Sequence, residues 1–172
     1  CSSDLVSELE GMFQVYYDRV SLGREKVMLE YSTTIKNDDF PTSLRGSFER
    51  DRILTYTTVG VHRDDLNLSL EGYPVKKLGS QGQKKSFLTA LKLAQFAYLV
   101  KQKGVKPLLL LDDIFDKLDA DRVSQIIQIV SSTDFGQVFV TDTNREHIDE
   151  ILQQHVMEYK IFHVEGGEVM NL

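Results

Sequence analysis

The sequence predicts an α/β fold with parallel strands, and three features of its second half carry this prediction. Four leucines at positions 108–111 form an unbroken apolar run, which is typical of a short strand buried on both faces of a sheet. Residues 137–141 form a second apolar strand. Between them, Asp119 is a good N-cap for a helix reaching about residue 132, whose inward face holds Val123, Ile126, Ile127 and Val130. Because strands alternate with helices here, we expect right-handed parallel crossovers.

The first 85 residues are predicted to form two helices and two strands. Their expected bounds are a helix over 4–20 closed by Gly23, a strand over 26–35, a helix from a cap at Thr42 or Ser43 to about residue 56, and a strand over 66–70. The leucines of the last strand alternate with polar residues and should share one face. After residue 141 we expect a helix over 145–153, a strand over 159–164 and a hairpin turn at Gly166 and Gly167.

Composition narrows the class of protein. The 172 residues include 41% hydrophobic residues, enough for one domain with a small appendage. Cys1 is the single cysteine, which excludes an internal disulfide framework and fits a reducing compartment. The apolar runs are too short for a membrane span, and no signal-peptide pattern opens the chain.

The charge balance is acidic. Twenty basic and 26 acidic residues give a formal net charge of -6, whereas a free-standing nucleic-acid binder usually carries a basic face. Any contact with DNA must therefore be local or supplied from outside this chain. The chain also begins without an initiator methionine and inside an expected helix, so we expect it to be the C-terminal piece of something longer.

A polar cluster at residues 60–65 allows two interpretations. His62 with Asp64 and Asp65 could form a metal site, although one histidine and two acids are weak evidence. A loop ion pair between Arg63 and an acid explains the same composition.

A glycine-containing segment at residues 78–86 precedes a strongly apolar helix, expected from about Ser86 to Lys101 and largely buried. A loop entering a helix N-terminus offers unpaired N–H groups and a positive dipole end to a phosphate. Against the phosphate loop G-x-x-x-x-G-K-[ST], Gly79, Lys85 and Ser86 fit, but Lys84 replaces the second glycine and would crowd the phosphates. We therefore do not expect a true phosphate loop here.

Asp112 and Asp113 follow the leucine run directly, and Thr141, Asp142 and Thr143 follow the second strand. The carboxyl ends of parallel strands meet at one rim of a sheet, where ligands bind. Carboxylates at such a rim can hold hydrated Mg²⁺. An ordinary strand whose polar end reaches solvent is the alternative.

The order of these pieces resembles the back half of an ABC-type ATPase. Ser80-Gln81-Gly82-Gln83 looks like the signature motif, the leucines with Asp112 like the Walker B strand, and Leu118-Asp119 like the D-loop. Together with residues 60–66, these motifs most resemble the RecF family of bacterial recombination-repair ATPases, which is related to SMC proteins. The resemblance covers roughly residues 45–172. It implies that residues 1–42 are the end of an inserted helical arm with a connecting strand, that residues 43–172 are the C-terminal part of the ATPase domain, and that an N-terminal half with the phosphate loop is absent.

The resemblance also implies roles for single residues. Asp112 would hold the Mg²⁺ of Mg-ATP, and Asp113 would orient or activate the attacking water where many ABC proteins have glutamate. The signature residues Ser80, Gln81, Gly82 and Gln83 would contact the γ-phosphate of ATP held by the opposite subunit. Asp119 would lie at the dimer seam, and Thr141, Asp142 and Thr143 would occupy the switch loop, although no histidine is present there.

For the whole protein, the resemblance implies a slow DNA-dependent ATPase of the bacterial cytoplasm that forms an ATP-dependent homodimer. Its ligand would be double-stranded DNA next to single-stranded gaps, and its partners would be RecR, RecO and RecA. Because no sound phosphate loop is present, we expect this chain alone neither to bind ATP tightly nor to hydrolyse it. Two alternatives remain: a Mg²⁺-dependent nuclease or phosphatase using Asp112, Asp113 and Asp142, and a nonenzymatic interaction module.

Overall fold

The structure is a computed structural model that describes residues 2–35, 39–113, 115–132, 134–143 and 158–171. The chain divides into two compact units, residues 1–105 and 106–172, and each is described by itself. The predicted boundary between residues 42 and 43 falls inside the first unit. That boundary concerns a proposed arm and ATPase domain, and it stays a prediction.

The first unit combines helices with a small antiparallel sheet. Its elements are α1 (Ser2–Ser21), β1 (Val27–Ser32), α2 (Phe40–Leu54), a short 3-10 helix (Val61–Arg63), β2 (Asp65–Leu70), β3 (Tyr73–Pro74), α3 (Val75–Leu78) and α4 (Gln81–Lys103). Within the described residues, β2 lies between β1 and β3, and Leu29 of β1 pairs with Leu68 of β2. The predicted helix over 4–20 and the strands over 26–35 and 66–70 are confirmed, with small shifts of their bounds.

The core of the first unit forms where α1 packs against α4. The rings of Phe13 and Phe87 lie 4.5 Å apart between centroids, and that of Tyr17 lies within 6 Å of both. At the other end of the pair, Lys101 of α4 forms an ion pair with Glu8 of α1, so the two helices run antiparallel. The buried cluster also takes in side chains of the sheet, of α3 and of α4: Leu29, Leu70, Val75, Ala90 and Ala94.

Helix α2 begins earlier than expected. Asp39, rather than Thr42 or Ser43, is its N-cap, because the Asp39 carboxylate accepts a hydrogen bond from the Thr42 N–H at 3.2 Å. Pro41 fits the first helical turn, where a missing N–H costs nothing.

The second unit contains a parallel strand pair. Its elements are β4 (Leu109–Asp112), α5 (Ala120–Val130), β5 (Val138–Thr141), β6 (Phe162–Glu165) and β7 (Glu168–Asn171). β4 and β5 pair in parallel, with Leu109 opposite Val138 and Asp112 opposite Thr141, and β6 and β7 form an antiparallel hairpin. These features, the Asp119 cap and the buried face of α5 confirm the predictions for this region. The predicted helix over 145–153 lies outside the described residues.

The leucine run is buried on one face only, so the prediction of burial on both faces was wrong. Leu109 and Leu111 are buried, whereas Leu108 and Leu110 are 62% and 63% exposed. Phe139, the cross-strand neighbour of Leu110, is also exposed. Strand geometry explains the alternation, since successive side chains point to opposite faces.

No helix in the described part of the chain is both long enough and apolar enough to span a bilayer.

Leu111 and Leu110 provide a direct test of the strand's orientation. We expect Leu111→Ala to lower the free energy of unfolding by about 2–5 kcal/mol, because it empties a fully buried site. Leu110→Ala should cost less than about 1 kcal/mol, as an exposed substitution. Urea denaturation followed by circular dichroism measures both, and equal losses would contradict the assigned faces.

Asp51 should make the stability of the first unit depend on pH. Hydrogen bonds from Thr58, chiefly from its hydroxyl, hold the pKa of the Asp51 carboxyl below its usual value, and the Ser47 hydroxyl adds a bond of 2.9 Å. The contribution of this carboxylate is therefore fully present above the unfolded pKa of about 3.9 and is lost as pH falls through the lower folded pKa.

Asp51→Asn should consequently lower stability at pH 7, and its deficit relative to the unmodified chain should shrink below pH 4. Chemical denaturation at pH 7 and pH 3 measures the change. Glu49→Gln, which alters an exposed carboxylate of the same helix, is the matched control. A deficit of equal size at both pH values would exclude the proposed linkage.

Candidate nucleotide-facing site

Ser80 caps the N-terminus of α4 through two reciprocal hydrogen bonds. Its Oγ accepts from the Gln83 backbone N–H at 3.2 Å, and its own backbone N–H donates to Gln83 Oε1 at 2.8 Å. This is a capping box, which satisfies two backbone donors and fixes the entry of the chain into the helix. Ser80 is nevertheless exposed, so its hydroxyl is accessible from outside.

The helix begins five residues earlier than predicted, at Gln81. The pattern Ser-x-x-Gln at residues 80–83 is the signal that would have located this start. Ser86 lies within the helix, is fully buried and donates its hydroxyl hydrogen to the Gly82 carbonyl at 2.9 Å. A phosphate loop ending at Ser86 is therefore excluded.

Gly79 allows the close approach of the segment that presents Ser80. A side chain at this position would place its Cβ 2.8 Å from the Val75 carbonyl oxygen of α3. The Gly79 N–H donates to that same oxygen at 3.0 Å. Gly79 thus ends α3 immediately before Ser80, the N-cap of α4.

The surroundings of Ser80 favour an anion. The first turn of a 23-residue helix presents backbone N–H groups and the positive end of the helix dipole. Lys76, Lys77 and Lys84 are exposed nearby in the sequence and add positive charge to an otherwise acidic chain. An anion site at this helix end stays a prediction.

Asp112, Asp113 and Thr141 are brought together at the carboxyl ends of β4 and β5. The Thr141 hydroxyl donates to Asp112 Oδ1. The Asp113 backbone N–H donates both to the Thr141 carbonyl at 3.1 Å and to its Oγ at 3.2 Å. Asp112 and Asp113 are exposed, as expected for side chains at the rim of a sheet. Asp142 is partly buried and Thr143 is exposed beside this rim.

Asp112, Asp113 and Asp142 do not form a carboxylate cluster that could hold a metal ion by itself. Among the described residues, which include all three, no group of three or more histidine, cysteine or acidic side chains is arranged in this way. A role of Asp112 in holding Mg²⁺ together with phosphates and water stays a prediction.

Asp119 has both carboxylate oxygens engaged within its own helix. Oδ1 accepts from the Arg122 backbone N–H at 2.9 Å, and Oδ2 lies 3.1 Å from Arg122 Nε. The Asp119 side chain therefore serves first as the cap of α5. If the segment around Asp119 contacted a nucleotide, it would have to use backbone atoms or a different conformation of the Asp119 side chain.

The polar cluster at residues 60–65 is a hydrogen-bonded loop rather than a metal site. His62 Nε2 and Arg63 Nε both donate to the Thr57 carbonyl, at 3.1 and 3.2 Å. Arg63 also lies over the Tyr56 ring at 4.9 Å, so the expected ion pair is replaced by a cation–π contact. Tyr31 donates its hydroxyl hydrogen to Asp64.

Among the described residues, Glu25 makes a contact to the Ser80–Gln83 segment that sequence reasoning missed. Its Oε1 accepts from Gln83 Nε2 at 2.9 Å across 58 residues of sequence. A contact between residues so far apart leaves no local signal in a single sequence.

Comparison with solved structures identifies the fold. The recombination mediator protein RecF-ATPrS of the RecFOR pathway superposes with a TM-score of 0.71 at 24% identity, covering 99% of this chain and 45% of that one. A chain from work on ATP-driven dimerization and DNA stimulated activation of SMC ATPases superposes with a TM-score of 0.54 at 15% identity, covering 98% of this chain and 86% of that one. The fold is that of part of an ABC-type ATPase, as the sequence predicted.

The curated relatives with the most similar sequences include RecF proteins of several bacteria. The chain is 50% identical over 165 residues to the DNA replication and repair protein RecF of Parabacteroides distasonis, and 45% identical over 161 residues to that of Flavobacterium johnsoniae. These matches cover 96% and 94% of this chain but 45% of each relative. The chain is thus related to RecF and spans a little under half the length of these relatives. No family model matches the chain.

The capping role of Ser80 can be separated from any role in binding. Ser80→Ala should lower the free energy of unfolding by about 1 kcal/mol, because it removes the acceptor of the Gln83 N–H. Ser80→Asp should leave stability nearly unchanged, since aspartate is an equally good cap and carries favourable charge. Urea denaturation of both variants is the measurement, and an equal loss in both would contradict the capping role.

Proposed function

We propose that this chain is the signature-bearing and Walker B-bearing part of a RecF-like ATPase that acts in DNA replication and repair. The observation that carries the proposal is the exposed Ser80 at the capped N-terminus of α4, within Ser80-Gln81-Gly82-Gln83. The 50% identity to RecF over nearly the whole chain supports it.

Ser80 and the amide groups of Gln81 and Gly82 would bind the γ-phosphate of ATP held by a second subunit. The helix end needs no rearrangement to offer hydrogen-bond donors and positive potential, so binding costs little reorganisation. The capping box supports this role because it fixes the position of the serine before nucleotide arrives. Residues 1–42 would be the end of an inserted arm, and residues 43–172 the C-terminal part of the ATPase domain.

Asp112 would hold Mg²⁺ together with the nucleotide phosphates, and the ion would neutralise charge developing on the transferred phosphoryl group. The Thr141 hydroxyl orients the Asp112 carboxylate through its hydrogen bond. Asp113 would position the attacking water, and its backbone is fixed by both oxygens of Thr141. Asp119, Asp142 and Thr143 would line the dimer seam and switch loop.

The whole protein would dimerise on ATP at double-stranded DNA next to single-stranded gaps and act with RecO, RecR and RecA in the bacterial cytoplasm. The relation to RecF and the RecFOR pathway of the structural neighbour support these assignments. The net charge of -6 favours a DNA-binding surface supplied mainly from outside this chain. Alone, the chain would neither bind ATP tightly nor hydrolyse it.

The experiment that tests the proposal is a chimera in which this chain replaces the 165 matched residues of Parabacteroides distasonis RecF. We expect the chimera to form ATP-dependent dimers and to hydrolyse ATP slowly. Ser80→Asp should abolish ATP-dependent dimerisation, because its carboxylate repels the γ-phosphate although it keeps the helix cap. Ser80→Thr, which retains both cap and hydroxyl, is the matched control. Analytical ultracentrifugation with a nonhydrolysable ATP analogue measures the dimer.

Asp113→Asn in the same chimera should reduce ATP hydrolysis by about 10²–10⁴-fold while leaving ATP-dependent dimerisation intact. Single-turnover hydrolysis measures the first effect. Unimpaired dimerisation of the Ser80→Asp chimera would contradict the phosphate-binding role, and unimpaired hydrolysis by the Asp113→Asn chimera would contradict the role of that acid.

A further inference from the structure

We propose that Glu25 is a positioning residue, which holds the Ser80–Gln83 capping box in place and links it to the packing of α1 on α4. The proposal rests on the proposed function insofar as Ser80 contacts nucleotide. The structural link itself involves only described residues of the first unit and needs no nucleotide.

Glu25 connects two elements with its two carboxylate oxygens. Oε1 accepts from Gln83 Nε2 at 2.9 Å, and Oε2 accepts from the Tyr17 hydroxyl at 2.6 Å. Both hydrogen bonds are partly shielded from solvent, which strengthens bonds to an ionised acceptor. The carboxylate therefore connects Tyr17 of α1 to Gln83 in the first turn of α4.

The carboxylate also decides which way the Gln83 amide points. An ionised carboxylate only accepts hydrogen bonds, so the Gln83 NH₂ group must face Glu25. The Gln83 carbonyl oxygen is then turned toward Ser80, whose backbone N–H it accepts at 2.8 Å. In the opposite orientation, two oxygens would face each other at Glu25 and two donors at Ser80. Glu25 thus selects the amide orientation on which the capping box depends.

Tyr17 anchors the other side of the bridge. Its side chain is fully buried, and its ring lies 5.8 Å from that of Phe13 and 5.7 Å from that of Phe87. The position of the Tyr17 hydroxyl is therefore set by the aromatic contact between α1 and α4. Because Phe87 lies one turn after Gln83, the same contact holds both ends of the hydrogen-bonded chain.

The test uses the full chain labelled with ¹⁵N and follows amide hydrogen exchange and side-chain amide resonances by NMR. In Glu25→Ala we expect exchange at Ser80 to accelerate by about tenfold, as for loss of one hydrogen bond to a charged group. The Gln83 side-chain resonances should shift, while exchange in the middle of α4, at Leu93, stays unchanged. Tyr17→Phe should give the same changes with smaller amplitude, because Glu25 loses its hydrogen bond from the Tyr17 hydroxyl but keeps the one from Gln83.

Glu71→Ala is the matched control. Glu71 is a nearby acid that accepts from the Lys26 backbone N–H at 2.6 Å and thus also fixes the start of β1, without contacting Gln83. It should leave Ser80 exchange and the Gln83 resonances unchanged. Unaltered Ser80 exchange in Glu25→Ala, or equal acceleration in Glu71→Ala, overturns the proposal. If Glu25→Ala does not fold, Tyr17→Phe carries the same test, and unaltered Gln83 resonances in it overturn the proposal.

The RecF chimera tests the functional consequence. We expect Glu25→Ala to weaken ATP-dependent dimerisation about tenfold and Glu71→Ala to leave it unchanged. Equal effects of the two substitutions overturn the positioning role. The NMR measurement requires no nucleotide, so its failure is distinct from failure of the proposed function, which the Ser80→Asp chimera reports.

Discussion

The contact between the rings of Phe13, Tyr17 and Phe87 stabilises the packing of α1 on α4 in the first unit. It joins α1 to α4 near the end of α4 that carries Ser80, where a helix terminus would otherwise fray. Burial of three aromatic side chains is worth several kcal/mol by area, and it is concentrated within one turn of the capping box. The exposed serine therefore lies next to a buried aromatic cluster.

In the second unit, strand pairing and hydrogen bonds position the polar residues at the carboxyl ends of β4 and β5. There the strand pairing of Asp112 with Thr141 places the Thr141 hydroxyl between the Asp112 carboxylate, to which it donates, and the Asp113 backbone N–H, from which it accepts. Side chains at strand ends are positioned by the sheet and need few further contacts. Each of the two segments is thus held in place by contacts close to it.

Local signals in the sequence were sufficient for most elements. The Asp119 cap, the period of α5 and the apolar strand at residues 138–141 each depend on neighbours a few residues apart, and each is present as predicted. The start of α4 was placed too late because Lys84 and Lys85 were assigned to a loop, although the Ser80–Gln83 pattern already encodes the cap.

The other errors concern long-range contacts. An apolar run such as residues 108–111 shows that a strand is favourable, but burial of its second face depends on what packs there, and Leu110 is exposed. Glu25 reaches Gln83 across 58 residues, so only the packing of α1 could reveal the contact. The proposed contact of Ser80 with phosphate would likewise depend on groups far away in the sequence.

The backbone of Asp113 has a consequence for which amino acids this position accepts. Its φ of +47° lies in the left-handed region, which aspartate and asparagine tolerate better than longer or branched side chains do. An aspartate at this position fits the sharp turn at the strand end. Substitutions at position 113 should therefore be limited mainly to aspartate, asparagine and glycine. The backbone conformation thus limits the length of an acidic side chain at this position.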